Sequence, residues 1–364
     1  MIPLFEPHFS GNEWTYVKEC LDTGWVSSAG KKIKDFEQAI SAYTGSPFAV
    51  ATVNGTSALH LTLVGCGIQP GDRVILPNLT FAATANAVHY TGATPVLADA
   101  DPLTWQMDAT LVEEWLKKQK GPLPRALVLT HVLGNMGEVE KLANICHSYG
   151  IILIEDAAES LGTTKDGLHA GTFGKAAVLS FNGNKIITTG GGGMILTADQ
   201  TLAQKLRHLS TQAKADPEEY FHDEVGYNYR LPNILAALGL AQMEQLENFL
   251  KKKRADAALY HALLKNSEAV TGFQKTLSGV WPNYWLFTAK MKDKKTVKET
   301  LAKAEIQSRA LWVPINQLPA YQQCEYITRG DVSGQLYATC LSLPGSVSLK
   351  ESQIREICKI ITTA

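Results

Sequence analysis

The chain has 364 residues, a length that predicts two domains or one large domain with a smaller companion. Hydrophobic residues make up 45% of it and charged residues 19%, which excludes disorder as the main state. Because 34 lysines and arginines balance 35 acidic residues, the net charge predicts neither nucleic acid nor anionic membrane as a partner.

Apolar runs of strand length alternate with helix-like segments over the first two thirds of the chain. This alternation predicts βαβ units and a mainly parallel sheet, in which ligands collect at the carboxyl ends of the strands. One long helix is predicted further on, over residues 235–253. In chain order, the predicted strands are 48–53, 73–76, 94–98, 126–130, 151–155, 176–181 and 194–196, and the predicted helices among them are 56–65, 81–90 and 111–120.

The sequence pattern changes near residue 245, so we predict a large domain over residues 1–245 and a smaller α+β domain over 246–364. The N-terminus lacks the basic and long apolar regions of a signal peptide, and no apolar run is long enough to span a bilayer. The six cysteines lack metal-ligand spacing. We therefore expect free thiols, no metal site and a cytoplasmic location.

A lysine lies just beyond the predicted strand 176–181. Lys185 is followed by four consecutive glycines, Gly190–Gly193, which allow the backbone to pass close to a bulky group. A lysine in this place is suited to act as an amine nucleophile, although a surface lysine is the alternative. The order of the residues excludes a P-loop, in which the glycines precede the lysine.

Two carboxylates, Glu155 and Asp156, end another predicted strand and are followed by two alanines. Asp156 fits either the N-cap of a helix or a carboxylate that keeps a ring nitrogen protonated. The alanines leave room for a flat ring.

The segment Asn54–His60 predicts an anion site. A sharp turn at Gly55 precedes a helix that opens with Thr56 and Ser57, and the free N–H groups and dipole of a helix start favour a phosphate. Ordinary capping by one of the two hydroxyl residues is the alternative. His60 is expected to pack within the helix.

Two further segments fit ligand recognition. Phe81, at a strand-to-helix turn, is suited either to stack on a planar ligand or to pack in the core. The loop before Pro232 offers the amide of Asn228 and the guanidinium of Arg230, which suit a carboxylate or phosphate, although Arg230 is equally suited to face solvent. A helix start for phosphate, a stacking aromatic, a ring-nitrogen carboxylate and a lysine 29 residues after it together predict pyridoxal phosphate.

Five motifs in this order resemble the DegT/DnrJ-like group of pyridoxal-phosphate-dependent sugar aminotransferases. They are NGTSALHL, LTFAATANAVHYTGATPV, IEDAAES, SFNGNKIITTGGGG and VGYNYRLPNILAALGLAQ, and the resemblance extends from about Gly24 to Gln245. It implies the type I, aspartate-aminotransferase-like α/β fold. Two of the segments, SFNGNKIITTGGGGM and VGYNYRLPN, resemble most closely the enzymes that aminate carbon 4 of a nucleotide-linked 4-keto-6-deoxy sugar, in the legionaminic-acid and perosamine branches.

The resemblance implies a role for each motif residue. Lys185 would form the Schiff base with the cofactor and move the proton, and Asp156 would pair with the pyridinium nitrogen. Glu159, where the group often has glutamine, would lie near the phenolic oxygen. Phe81 and Ala158 would lie against the two faces of the ring. The phosphate would be bound by Gly55, Thr56, Ser57, Ser180 and, from a second subunit, Asn228.

The resemblance also implies a homodimer with shared active sites and two substrates, an amino acid such as L-glutamate and a nucleotide sugar. The product would serve surface polysaccharide or nonulosonic acid synthesis. Three residues are candidate substrate contacts. Trp25 lies in a loop that would border the sugar pocket, His131 is equally suited to be a core histidine, and Arg230 would hold the donor carboxylate or order its own loop.

The C-terminal third matches the group only loosely. Its aromatic residues are expected to pack in the core, and contact with a nucleobase is the alternative: Trp281, Tyr284, Trp285 and Trp312. Two alternative functions are a pyridoxal-phosphate-dependent sugar dehydratase and a non-catalytic sugar-binding relative. Lys185 favours transamination, because some dehydratases of the group carry histidine in its place.

Overall fold

The structure is a computed structural model that describes residues 1–216 and 218–364. Its α-helices are α1 (Glu13–Thr23), α2 (Lys31–Thr44), α3 (Gly55–Gly65), α4 (Ala82–Tyr90), α5 (Ala109–Lys117), α6 (Val139–Tyr149), α7 (Gln200–Ser210), α8 (Asn233–Met243), α9 (Leu246–Leu264), α10 (Lys294–Lys303), α11 (Val332–Thr339) and α12 (Glu351–Thr363). Its strands are β1 (Phe48–Thr52), β2 (Arg73–Pro77), β3 (Thr94–Ala98), β4 (Ala126–Thr130), β5 (Ile152–Asp156), β6 (Thr164–Lys165), β7 (Leu168–His169), β8 (Ala176–Ser180), β9 (Gly193–Thr197), β10 (Lys214–Asp216), β11 (Phe221–His222), β12 (Val270–Phe273), β13 (Val280–Trp281), β14 (Thr288–Met291), β15 (Arg309–Ala310), β16 (Glu325–Ile327) and β17 (Cys340–Ser342).

A central sheet of eight strands has the order β1-β9-β8-β5-β4-β2-β3-β16. The strands from β8 to β16 in this order pair in parallel, and β9 runs antiparallel to both of its neighbours, β1 and β8. The prediction of a mainly parallel α/β sheet is therefore confirmed. The carboxyl ends of β1, β8, β5, β4 and β2 all lie at one edge of the sheet.

Helices cover both faces of this sheet, which explains why its strands are apolar along their whole length. Residues that alternate along one strand belong to different cores: Ala49 and Ala51 pack with α2 and α8, whereas Val50 packs with α3 and α7. Glycines end two of the helices. Gly45 and Gly150, with φ of 75° and 66°, end α2 and α6 in a left-handed conformation that glycine adopts without strain.

The single long helix predicted over residues 235–253 is wrong. The chain forms two helices, α8 and α9, with a break at Glu244 and Gln245. Tertiary packing explains the break, because α8 lies against α1 and α2 while α9 lies against α12. The sequence carries neither glycine nor proline at this point to mark it.

The C-terminal residues build a second, antiparallel sheet with the order β12-β14-β17-β15, which packs against α9, α10 and α12. The domain boundary near residue 245 stays a prediction. It falls between α8 and α9, yet β16 returns to the central sheet and pairs with β3. No helix in the described ranges is long and apolar enough to cross a membrane.

Candidate active site

A cavity of about 350 Å³ lies at the carboxyl edge of the central sheet, between that sheet and the C-terminal one. Residues at or beyond the ends of five of the sheet's strands, β1, β2, β4, β5 and β8, line it, because parallel strands bring their carboxyl ends together. Eight of the predicted cofactor residues contribute to the lining: Gly55, Thr56, Phe81, Asp156, Ala158, Glu159, Ser180 and Lys185.

Lys185 lies in the cavity, and its side chain is only 14% exposed. Its Nζ atom is 3.6 Å from Oε1 of Glu159 and 4.0 Å from the centre of the Trp285 ring. Trp285 is fixed in turn, because its Nε1–H donates to the carbonyl oxygen of Asn184 at 2.5 Å. The alternative of a surface lysine is therefore wrong.

Glu159 provides a carboxylate beside this amine. Its second oxygen, Oε2, accepts a hydrogen bond from the backbone N–H of Leu133 at 2.9 Å. Burial raises the pKa of Glu159 to about 7, and nearby Asp156 adds to the rise, while Lys185 and the Leu133 N–H act against it. The charge of this side chain therefore changes near neutral pH.

Asp156 ends β5 and is almost fully buried. Its Oδ2 accepts a hydrogen bond from the Thr84 hydroxyl at 2.7 Å, and its Oδ1 accepts one from the Ala158 N–H at 3.2 Å. Burial raises the pKa of Asp156, although these hydrogen bonds and Lys185 lower it. The alternative of a helix N-cap is wrong, because the chain beyond Asp156 turns towards β6.

The start of α3 faces the same cavity. Asn54 caps the helix, since its Oδ1 accepts from the Ser57 N–H at 2.7 Å, so the capping alternatives for Thr56 and Ser57 are wrong. Gly55 lies so close to Ser180 that an added Cβ would be 3.0 Å from the Ser180 Cβ. The helix start and the end of β8 therefore form one cradle of N–H and hydroxyl groups, which suits a phosphate. Ser57 does not line the cavity.

Phe81 lines the cavity with 58% of its surface exposed, so its alternative of core packing is wrong. Ala158 lines the cavity as well. An exposed aromatic face and a small side chain suit a flat ligand, because a ring stacks on the first and passes close to the second.

Four other predicted residues do not line the cavity of their own chain. His131 is fully buried, and its Nε2 lies 2.8 Å from Oε2 of Glu155, so the predicted sugar contact is wrong and the core-histidine alternative fits. The Trp25 side chain is 59% exposed outside the cavity, and its carbonyl oxygen accepts from Asn233 Nδ2 at 2.6 Å. Asn228 pairs with Thr211 in an isolated bridge.

Arg230 is the fourth. It donates through Nη1 to Oε1 of Glu37 at 2.7 Å and to the Ala51 carbonyl oxygen at 3.3 Å. Its side chain is 16% exposed, so it does not face solvent as the alternative expected. These contacts tie the loop that carries Arg230 to α2 and β1. A donor carboxylate inside the cavity of the same chain is therefore out of its reach.

Several lining residues were not predicted from sequence. Thr84 orients Asp156, and its hydroxyl continues through Thr80 to Thr130 in a chain of hydroxyl contacts of 3.2 Å each. Thr80 and Thr84 lie four apart in the quoted LTFAATANAV segment, and that spacing at a helix start is the signal that identifies them.

The C-terminal part contributes Trp285, Arg309, Trp312 and Ser342 to the lining. Trp285 is 4% exposed and belongs to the core, as expected, yet it also lines the cavity. Trp312 stacks on it with ring centres 6.3 Å apart and an interplanar angle of 8°. Trp312 packs against the core, as expected, and also lines the cavity. Trp281 is 61% exposed, so the prediction that it packs in the core is wrong. No local pattern marks Arg309, which lies in a strand of two residues.

Comparison with known proteins identifies the family. Residues 8–362 match the model of the DegT/DnrJ/EryC1/StrS aminotransferase family. The chain is 37% identical over 363 residues to a GDP-perosamine synthase from Escherichia coli O157:H7, covering 99% of this chain and 97% of that protein. It is 38% identical over 366 residues to a GDP-perosamine synthase from Caulobacter vibrioides, covering 98% and 96%.

A solved structure agrees with these matches. The crystal structure of a DegT DnrJ EryC1 StrS aminotransferase from Brucella abortus aligns with a TM-score of 0.91 at 28% identity, covering 97% of this chain and 95% of that one. Sequence and structure thus match over nearly the whole length. The chain therefore belongs to the DegT/DnrJ/EryC1/StrS aminotransferase family, and it is a pyridoxal-phosphate-dependent sugar aminotransferase.

Proposed function

We propose that this enzyme transfers the amino group of L-glutamate to carbon 4 of a GDP-linked 4-keto-6-deoxy sugar, in the perosamine type of polysaccharide synthesis. Support for the nucleotide comes from three relatives named GDP-perosamine synthase, each 34–38% identical and covered over 95% of its length or more. Support for the position of amination comes from the resemblance of the SFNGNKIITTGGGGM and VGYNYRLPN segments to enzymes of that specificity.

The residues of the cavity fit pyridoxal phosphate. The buried carboxylate of Asp156 has a raised pKa, and a protonated ring nitrogen would supply the positive partner that such a carboxylate lacks. Gly55 has no side chain at the point where α3 begins beside Ser180. The backbone N–H groups of this helix start can therefore be approached by a phosphate. When bound, the cofactor supplies an electron-accepting ring that allows a proton to leave the carbon next to the transferred nitrogen.

Each residue then has a defined task. The Lys185 amine attaches the cofactor, and after release it holds and moves the proton at the reacting carbon. Glu159, 3.6 Å from that amine, is placed to stabilise its charged form. The Thr84 hydroxyl fixes the direction of the Asp156 carboxylate, so that its negative charge is presented to the ring nitrogen. Phe81 and the stacked pair of Trp285 and Trp312 give the cavity apolar walls, which would keep water from a bound cofactor.

We also infer a homodimer with shared active sites. Asn228, which the resemblance assigns to the phosphate of a second subunit, does not line the cavity of its own chain. The segment that leads to it carries large apolar side chains in solvent, with Tyr220 72%, Phe221 60% and Val225 85% exposed. Exposed apolar clusters of this kind mark interaction surfaces. A cytoplasmic location remains a prediction from sequence.

One observation carries the proposal, the joint placement of Lys185 and Asp156 in a single cavity. The test incubates the cofactor-loaded protein with L-glutamate, labelled at its amino nitrogen, and the GDP-linked 4-keto-6-deoxy sugar. Mass spectrometry should show an aminated sugar that carries the label, and Lys185→Ala should yield none. UDP- and dTDP-linked sugars are the comparison. Faster amination of either one would contradict the choice of GDP, and an unlabelled product would contradict L-glutamate as donor.

A further inference from the structure

Of the two cations that line the cavity, one has a protein partner among the described residues and the other has none. Among the lining residues the cations are Lys185 and Arg309, and the carboxylates are Asp156 and Glu159. Lys185 lies beside Glu159 and is committed to the cofactor. Arg309 makes no salt bridge and no side-chain hydrogen bond with the residues that the structure describes. Arg309 is an exposed residue at the edge of the cavity, and no protein group in the described ranges occupies its guanidinium.

Arg309 lies on the edge strand of the C-terminal sheet. It lies in β15, where its backbone pairs with Ser342 of β17, and Ser342 itself lines the cavity. The next three residues, through Trp312, line the cavity as well. The guanidinium thus approaches from the C-terminal sheet, while Lys185 approaches from the central sheet, and a small substrate held between them touches both parts of the protein.

A cation at this place would suit the amino donor of the proposed reaction. The amino donor carries carboxylates, and a planar guanidinium binds a carboxylate through two parallel hydrogen bonds. Arg230, the candidate from sequence, is occupied by Glu37. The cavity volume of about 350 Å³ is at the small end of ligand sites, which fits a small amino donor beside the cofactor as the ligand of Arg309.

We propose that Arg309 binds a carboxylate of the amino donor and so sets the preference of this enzyme for a glutamate-like donor. This inference rests on the proposed function. Because the donor and the nucleotide sugar react in separate half-reactions, the contribution of one side chain to each can be measured alone.

The test compares the holoenzyme with Arg309→Gln, Arg309→Lys and a control, Arg355→Gln, which removes an exposed arginine of α12 outside the cavity. In Arg309→Gln, the L-glutamate concentration that gives half-maximal rate in the donor half-reaction should rise about 10- to 100-fold, the range for loss of a charge-assisted hydrogen-bonded pair. Arg309→Lys should recover part of the loss. The half-reaction with the nucleotide sugar should lose less than the donor half-reaction, and an unchanged far-ultraviolet circular dichroism spectrum should show that the variant is folded.

A binding measurement completes the test. Glutarate, a dicarboxylate without an amino group, should bind the wild-type holoenzyme in calorimetry and bind Arg309→Gln about 10- to 100-fold more weakly. Unchanged glutamate dependence and unchanged glutarate binding would overturn the proposal, and so would a loss confined to the nucleotide-sugar half-reaction, which would assign Arg309 to a phosphate. If the wild type aminated no sugar, the proposed function would fail instead, while the glutarate result would still decide the role of Arg309.

Discussion

Replacement of Glu159 by glutamine tests whether a carboxylate beside Lys185 changes its charge near neutral pH. Burial raises the pKa of Glu159 from its ordinary 4.5 to about 7, so the folded protein without cofactor holds a proton that the unfolded chain has lost between these two values. Stability therefore falls as the pH rises through this window. The destabilisation is fully present above about pH 7 and absent below pH 4.5.

The size of the effect follows from the same two values. At about 1.4 kcal/mol for each pKa unit, ionisation of Glu159 costs the cofactor-free protein about 3 kcal/mol of unfolding free energy by pH 8. Glutamine is neutral at every pH, and its carbonyl oxygen can still accept from the Leu133 N–H. The stability of Glu159→Gln relative to wild type should therefore rise by about 3 kcal/mol from pH 5 to pH 8.

The assay is denaturant unfolding of the cofactor-free protein at fixed protein concentration over this pH range, because a bound cofactor would change the surroundings of Glu159. Titrating groups remote from Glu159 are common to both proteins and cancel in the difference, whereas Lys185 and Asp156 interact with Glu159 directly. Glu356→Gln, on the exposed side of α12, controls for the loss of one negative charge. A difference between wild type and Glu159→Gln that is constant with pH would refute the reasoning.

Three further predictions concern the site, the dimer and the core. Asp156→Asn should slow amine transfer about 10- to 100-fold without changing the far-ultraviolet circular dichroism, because a charge-assisted contact is lost, and unchanged kinetics would make Asp156 merely structural. Lys185→Ala and Asn228→Ala can be dissociated together and reassembled as a mixture. If sites are shared between two subunits, about a quarter of wild-type activity should return, because half of the dimers are mixed and each of these has one complete site. No recovery would contradict the shared site. Lys253 is 3% exposed and burial lowers its pKa to about 7, so the wild type gains stability as the pH rises from 7 towards 10.5. Lys253→Met should accordingly gain on wild type by up to about 4 kcal/mol on going from pH 10 to pH 7, and equal differences at the two values would show that Lys253 does not titrate there.

The central sheet and its ligand edge could be predicted because both depend on local patterns. Asp156 and Lys185 stand at or just beyond the ends of apolar strands, and a parallel sheet collects such positions at one edge. The break between α8 and α9 could not be predicted, since apolar spacing continues through it and only packing on different helices separates the two.

Side chains that depend on partners remote in sequence were the ones placed wrongly. His131 follows a strand end, as a ligand-binding residue would. Its ring nitrogen, however, forms a hydrogen bond with the carboxylate of Glu155 in the neighbouring strand. Arg230 is bound by Glu37, which fits the predicted ordering of its own loop but not the predicted contact with a donor carboxylate in the same chain. Hydrogen bonds between distant segments leave no periodic trace in the chain, so a single sequence cannot assign them.

The sequence by itself determined the type of fold and the cofactor, and it singled out Lys185 as the candidate for the reactive lysine, because strand periodicity and the order of short motifs are properties of neighbouring residues. Only the tertiary structure decided which groups enter the cavity from the other sheet, Arg309 and Trp312 among them, and which cations are already neutralised elsewhere. The physical reason is that charge pairing and cavity shape depend on distances through space, which the order of residues does not specify.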